Sequence, residues 1–300
     1  MKLYAPKYYQ RFRCIAERCR HSCCVGWEID IDAQTRACYD RLDAPYAAHI
    51  RESIEESGDA PHFRLGEGER CPHLDDQGLC RIILNCGEDC LCDICREHPR
   101  FYHETSRGME VGLGMACEEA ARLILTSDDY AEFVELEVLD GEPDADAFGI
   151  AERDRMFALL SDRTIPYAQR LRELSALYHV TPDVLSDEQW RQQLSSLEYL
   201  DEAHRACFDC YSSSEKTPDA WDEVLERALA YFIYRHCSNA LNEYEFTSAL
   251  GFCLFCERLL VSLIVAEKAK DLEDIILLCR IISEELEYSE DNTYAIMDEF

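Results

Sequence analysis

Basic residues are scarce in this sequence. Thirty lysines and arginines face 61 aspartates and glutamates, a formal net charge of −31 over 300 residues. A chain this acidic is repelled by phosphate backbones and anionic lipid surfaces, so no nucleic acid and no membrane is expected among its partners. A basic protein or peptide suits it better. Glycine (12) and proline (9) are too few for a collagen-like or low-complexity chain. No glycine-rich loop follows a strand-like run, which argues against the doubly wound nucleotide-binding fold. The start, Met1 to Phe12, lacks the apolar run and small-residue cleavage site of a secretory signal. The most apolar stretch, residues 250–266, is interrupted by Glu257 and Arg258 and is short against the ~20 residues of a bilayer span. A cytoplasmic chain is expected.

Cysteine, by contrast, is abundant: there are 18, twelve of them before residue 118. In a reducing compartment, clustered thiols point to metal rather than to disulfides. The two halves also differ in texture. The first has short segments broken by Gly, Pro and His. The second is rich in Leu, Ala, Glu and Arg with helical periodicity. Trp221, Val224, Leu225, Ala228, Leu229, Phe232 and His236 share one helix face. Residues 250–268 read as a buried central helix, residues 271–288 as another, and 151–160, 167–177 and 187–200 as three more. In the first half, 115–126 reads as a helix with Glu118, Glu119 and Arg122 exposed, and 36–56 as a helix interrupted by Pro45. The acidic, turn-prone run 140–146 is the natural break. The expected architecture is mainly α: a loop-rich cysteine-cluster part over 1–139, then a helical bundle over 149–300.

Three cysteine groups stand out: Cys14, Cys19, Cys23 and Cys24; Cys71 and Cys80; Cys92 and Cys95. Close pairs let one loop supply two ligands of a four-ligand site, and soft thiolates select zinc or iron–sulfur clusters. A zinc ribbon would show two C-x2-C knuckles, whereas only Cys92-x2-Cys95 lies in this region. The irregular spacing sits better with a cuboidal iron–sulfur cluster. A C-x3-C-x2-C radical motif is absent, because position 26 is Gly26. Cys253 and Cys256 lie in an apolar helix and read as packing residues, and Cys38 as structural.

The strings Tyr4-Ala5-Pro6-Lys7-Tyr8-Tyr9, Cys19-Arg20-His21-Ser22-Cys23-Cys24, Arg70-Cys71-Pro72-His73-Leu74, Cys92-Asp93-Ile94-Cys95-Arg96-Glu97-His98-Pro99-Arg100-Phe101 and Cys117-Glu118-Glu119 resemble the flagellin lysine N-methylase family. That family belongs to a wider group of cysteine-cluster, zinc- or iron-chelating proteins. The resemblance is dense through residue 126 and looser beyond, at 231–236 and 283–292. It implies a protein-lysine N-methyltransferase that uses S-adenosylmethionine on ε-amines of flagellin or another lysine-bearing protein, with a [4Fe-4S] cluster. Carried over by position, the ligand pool is Cys14, Cys19, Cys23, Cys24, Cys71, Cys80, Cys92 and Cys95, with the choice of four open. Cys86 and Cys90 fall outside the family pattern.

Methyl transfer requires a neutral amine, so a nearby base must take its proton. Asp30, Glu118 and His98 are the candidates by proximity in sequence. Arg96, His98 and Arg100 are candidates for binding the carboxylate of the methyl donor. Two readings compete with the methylase: a non-enzymatic iron–sulfur or zinc module serving as an electron carrier or interaction protein, and a thiol oxidoreductase.

Overall fold

A computed structural model describes residues 1–58, 60–141 and 148–300. They form two compact units. The smaller is Arg13–Pro99, and the larger combines Met1–Phe12 with Arg100–Phe300. The break expected at 140–146 lies largely outside the described residues. The units divide the chain at 12/13 and 99/100, so residues 100–139 belong with the helical part. The cause is strand pairing: the first strand of the chain is hydrogen-bonded to strands that lie after residue 100.

Six strands occur among the described residues: β1 (Lys2–Pro6), β2 (Ile54–Glu55), β3 (His62–Phe63), β4 (Arg100–Thr105), β5 (Gly108–Leu113) and β6 (Phe133–Val138). Four of them make a sheet of order β4-β5-β1-β6 in the large unit. β4 and β5 are an antiparallel hairpin, β1 runs parallel to β5, and β6 runs antiparallel to β1. A parallel pair needs a long connection, and here residues 13–99 lie within it. Gly108, at φ 144, closes the hairpin; a Cβ there would sit 2.4 Å from the Lys2 carbonyl oxygen. Only glycine fits such an approach.

Among the described residues, nine α-helices follow in the large unit: Glu118–Thr126, Gly149–Leu160, Tyr167–Tyr178, Asp187–Ser196, Glu202–Phe208, Asp222–Cys237, Glu243–Ala266, Leu272–Ile282 and Glu290–Met297. The chain is mainly α, as its periodicity implies. Asp222–Cys237 carries Asp222 and Glu223 in its first turn and Arg235 and His236 in its last, matching the helix dipole at both ends. Glu243–Ala266 is 24 residues, longer than the apolar run alone indicates. Asn242 caps it, its Oδ1 accepting the Glu245 N–H at 3.0 Å. By length and composition this helix could cross a bilayer, yet 83% of its most apolar window is buried within the fold. It is the core helix of this unit. The helix expected over 271–288 is α-helical over Leu272–Ile282 and continues without a break into a π-helical turn, Ser283–Glu287. Glu118, expected on a surface, is buried in the first turn of its helix, beside Arg122 at 3.4 Å.

The small unit has little regular structure: helices Ala33–Arg41, Ala47–Glu52, Arg81–Cys86 and Asp93–Glu97, and the two-residue pair β2–β3. Pro45 falls between the first two helices, as expected. Ile29, Ile31, Tyr39, Ile50, Phe63 and Ile82 pack with the thiols of Cys71, Cys90 and Cys92 into its core. So small a core, with so few ladder bonds, is the kind of fold that a metal group organises.

Candidate metal centre

Loop-to-loop hydrogen bonds bring distant cysteines together in the small unit. The Cys71 N–H donates to the Cys24 carbonyl at 2.9 Å, beside a β-bridge between Val25 and Arg70. Leu74 and Cys80 form a second bridge, and the Arg81 N–H reaches the His73 carbonyl at 2.7 Å. Cys80 and Cys92 each occupy the position before a short helix. The Asp93 N–H donates to Asp32 Oδ2 at 3.0 Å, while Asp32 Oδ1 caps the helix Ala33–Arg41 through the Thr35 N–H at 2.8 Å. One carboxylate thus ties the Cys92–Cys95 turn to the opening of another helix.

Packing and electrostatics together show which thiols are neighbours: Cys71 and Cys92 lie in the core of the small unit, with Cys24, Cys80 and Cys95 against it. The charges of Cys24, Cys80 and Cys92 each oppose ionisation of Cys71, and those of Cys92, Cys24 and Cys71 oppose ionisation of Cys95. Cys80 feels Cys24 and Cys92. Five of the eight sequence candidates therefore act on one another, and Cys23, hydrogen-bonded to Cys24, adjoins them. Cys71 and Cys92 are buried, and Cys24, Cys80 and Cys95 half-buried. The thiols titrate unevenly. A hydrogen bond from Cys23 draws Cys24 down to about 7, against its burial. Burial pushes Cys71 up to about 12 and raises Cys80. Cys92 and Cys95 share a hydrogen bond, which lowers the first and raises the second. Backbone N–H groups favour the thiolate at three of these positions: His73 for Cys71, Ile83 and Ile82 for Cys80, and Cys95 for Cys92.

This donor set fits a thiophilic metal group. The sulfurs repel one another as thiolates, and a bound cation removes that penalty by replacing their protons. His73 does not join them: its Nε2 lies 3.0 Å from Ser53 Oγ and its Nδ1 3.1 Å from Tyr46 Oη. Both ring nitrogens are engaged, and burial holds the ring neutral, down to about 4.

The remaining candidates are placed as follows. Cys14 and Cys23 are exposed, and Cys19 is half-buried with its Sγ 2.9 Å from the His21 carbonyl. Asp30 is exposed and forms a β-bridge with His62; with Glu28 and His62 it makes a group whose ligand atoms lie within 4.8 Å of one another. Glu118 belongs to the large unit. Arg96 pairs with Asp93 at 3.0 Å, and the His98 ring lies 6.1 Å from that of Trp27. Arg100 sits on β4 of the large unit, its Nε donating to Tyr9 Oη at 2.8 Å and its guanidinium 5.7 Å from the Phe12 ring centroid. The triplet Arg96, His98 and Arg100 is thus divided between the two units.

Sequence reasoning misses a second thiol group. Cys90 is influenced by Cys38 and Cys86, and its Sγ contacts the Cys86 carbonyl at 3.3 Å. The i, i+4 spacing of Cys86 and Cys90 is the available signal. In the large unit the fully buried thiols of Cys237 and Cys253 approach to 3.8 Å between two helices, and Cys256 and Cys279 are likewise buried. These are packing thiols.

Comparison with known proteins gives partial matches. The chain is 30% identical over 130 residues to a lysine-N-methylase of Salmonella typhimurium, covering 41% of this chain and 32% of that protein. It is 29% identical over 130 residues to the lysine-N-methylase of Salmonella choleraesuis, with the same coverage. It is 28% identical over 130 residues to the flagellar biosynthetic protein FliU of Salmonella muenchen, covering 77% of that protein. The match thus spans about a third of the length of the methylases. No family model matches the chain, and no solved structure matches it.

Proposed function

The chain is a distant relative of the lysine-N-methylase and FliU proteins, and from that premise we propose that it methylates lysine ε-amines of a flagellin-type protein. In this reading four of Cys24, Cys71, Cys80, Cys92 and Cys95 hold a [4Fe-4S] cluster, and S-adenosylmethionine is the methyl donor. What supports it is that five thiols from three sequence-distant loops act on one another, Cys71 and Cys92 lying in the core of the small unit with Cys24, Cys80 and Cys95 packed against it. A cluster bound there supplies a redox-active group with tunable potential. The donor supplies a methyl group on a positively charged sulfur.

What the chain itself contributes is a thiolate shell. The backbone N–H groups of His73, Ile83, Ile82 and Cys95 stabilise that shell, and hydrogen bonds to a ligating sulfur tune the group it holds. A cytoplasmic location, where such thiols stay reduced, suits this reading, and the −31 charge favours encounter with a lysine-bearing partner.

The test is anaerobic incubation of the iron-replete protein with methyl-labelled S-adenosylmethionine and flagellin. Label on lysine is expected, and its loss in Cys92→Ser is expected together with loss of iron. An unlabelled flagellin with a fully loaded protein contradicts the methylase reading and favours an electron carrier.

A further inference from the structure

The large unit carries a cleft of about 450 Å³ that the metal centre does not use. Its walls are β4, the C-terminal end of the helix Asp222–Cys237, the opening of Glu243–Ala266, the π-helical turn and the helix Glu290–Met297. Two chemical features mark it. Its lining carries four carboxylates, Glu245, Glu287, Glu290 and Asp298, against the single guanidinium of Arg235 among the described residues. Of the 16 tyrosines in the chain, the exposed ones among the described residues are Tyr102, Tyr244, Tyr288 and Tyr294. Three of these line the cleft, and the fourth stands over Arg235 in its wall, 5.6 Å from ring centroid to guanidinium carbon.

The inner wall is a built polar site. Glu287 has no exposed surface on its side chain, and its Oε1 lies 2.7 Å from His236 Nε2. Its Oε2 accepts the Tyr231 hydroxyl at 2.8 Å, and the Arg235 Nε lies 3.4 Å from Oε1. Arg235 is thereby matched by Glu287, and the excess negative charge belongs to Glu245, Glu290 and Asp298, all exposed at the mouth. Glu287 ends the π-helical turn, an irregularity that recurs at functional sites because it redirects side chains from the helical register. Exposed aromatics gathered around one concavity are the composition of a contact surface.

We propose that this cleft binds a lysine side chain presented by a partner polypeptide. The aliphatic stem lies along the tyrosine rings, and the ammonium sits among the carboxylates, within reach of cation–π attraction. A phosphate, a nucleotide or an acidic peptide is disfavoured by the same charge balance. The inference rests on the methylase reading only for the role of the bound side chain as substrate; its binding is independent of any reaction.

The experiment measures binding to the full chain without methyl donor, by anisotropy of a fluorescein-labelled lysine–glycine–serine peptide. The control replaces each lysine with norleucine. The expected result is binding that fails with norleucine and weakens about tenfold or more in Glu290→Gln/Asp298→Asn and in Tyr244→Ala/Tyr294→Ala, which alter exposed side chains. Equal binding of the norleucine peptide, or unchanged affinity in both double variants, overturns the proposal. Competition by free lysine at the peptide's own concentration overturns the polypeptide as occupant. If the peptide binds as expected while flagellin stays unlabelled, the cleft stands and the methylase reading fails. If flagellin is labelled with unchanged KM in both variants, the methylase reading stands and the cleft fails.

Discussion

Glu110, on β5, has no exposed surface on its side chain, and its Oε2 lies 3.3 Å from His103 Nε2 and 2.6 Å from an Arg153 Nη. Burial works against its charge, but the His103 hydrogen bond and the Arg153 guanidinium hold the carboxyl below the ordinary carboxylate value. The folded protein therefore binds this proton more weakly than the unfolded chain does. The resulting stabilisation is complete above the unfolded pKa of about 4.3 and is lost as pH falls through the lower folded value. We expect the urea midpoint of the native chain to drop in that acid window, and Glu110→Gln to flatten that part of the pH profile while lowering stability at neutral pH. An unaltered acid slope in the variant contradicts this account. At this scale the sequence is legible where spacing carries the chemistry. Cys14, Cys19, Cys23, Cys24, Cys71, Cys80, Cys92 and Cys95 stand out by their grouping, but which of them become neighbours is not written in the spacing. The Glu110–Arg153 pair is not legible, because 43 positions separate the partners and neither sits in a motif. Glu118 reads as a solvent-facing charge, whereas the first turn of its helix is buried at that position.

Among the elements, helices with an apolar stripe are legible and short strands are not. The seven-residue face from Trp221 to His236 marks the helix Asp222–Cys237 almost to its ends. The helix Glu243–Ala266 reads too short, since its opening Glu243-Tyr244-Glu245 is polar and only the Asn242 cap marks the start. Removing that cap in Asn242→Ala should cost about 0.5–2 kcal/mol. The emission of Trp190, which is buried against Phe255 of this helix at 4.4 Å between ring centroids, reports it through a lower denaturant midpoint. An unchanged midpoint would show that the cap contributes nothing. The sheet escapes a reading by periodicity because β1, β5 and β6 are five or six residues long and pair across the chain. Non-local pairing leaves no local periodicity beyond a short alternation. The π-helical turn widens the end of a helix that reads as regular, and it appears where Glu285 and Glu287 meet His204 and His236.

Over the whole molecule, the 18 cysteines sort by environment. Those of the small unit lie in a fold with few ladder bonds and a modest core, whereas Cys237, Cys253, Cys256 and Cys279 are packed in a large helical interior. Removing a bound metal group should therefore loosen Arg13–Pro99 selectively. Hydrogen exchange after anaerobic chelation is expected to show lost protection in that unit and retained protection in Asp222–Cys237 and Glu243–Ala266, because folding of a small metal-bound unit is coupled to its metal. Uniform loss, or none, contradicts that division.

In the proposed function the small unit holds an iron–sulfur cluster through four of the thiols Cys24, Cys71, Cys80, Cys92 and Cys95. Iron and acid-labile sulfide counts on anaerobically purified protein, taken with its visible spectrum, test it most directly. About four irons and four sulfides per chain with a broad visible absorption are expected, lost in Cys92→Ser but not in Cys14→Ser. A colourless protein carrying only zinc, or iron retained in Cys92→Ser and lost in Cys14→Ser, would contradict it.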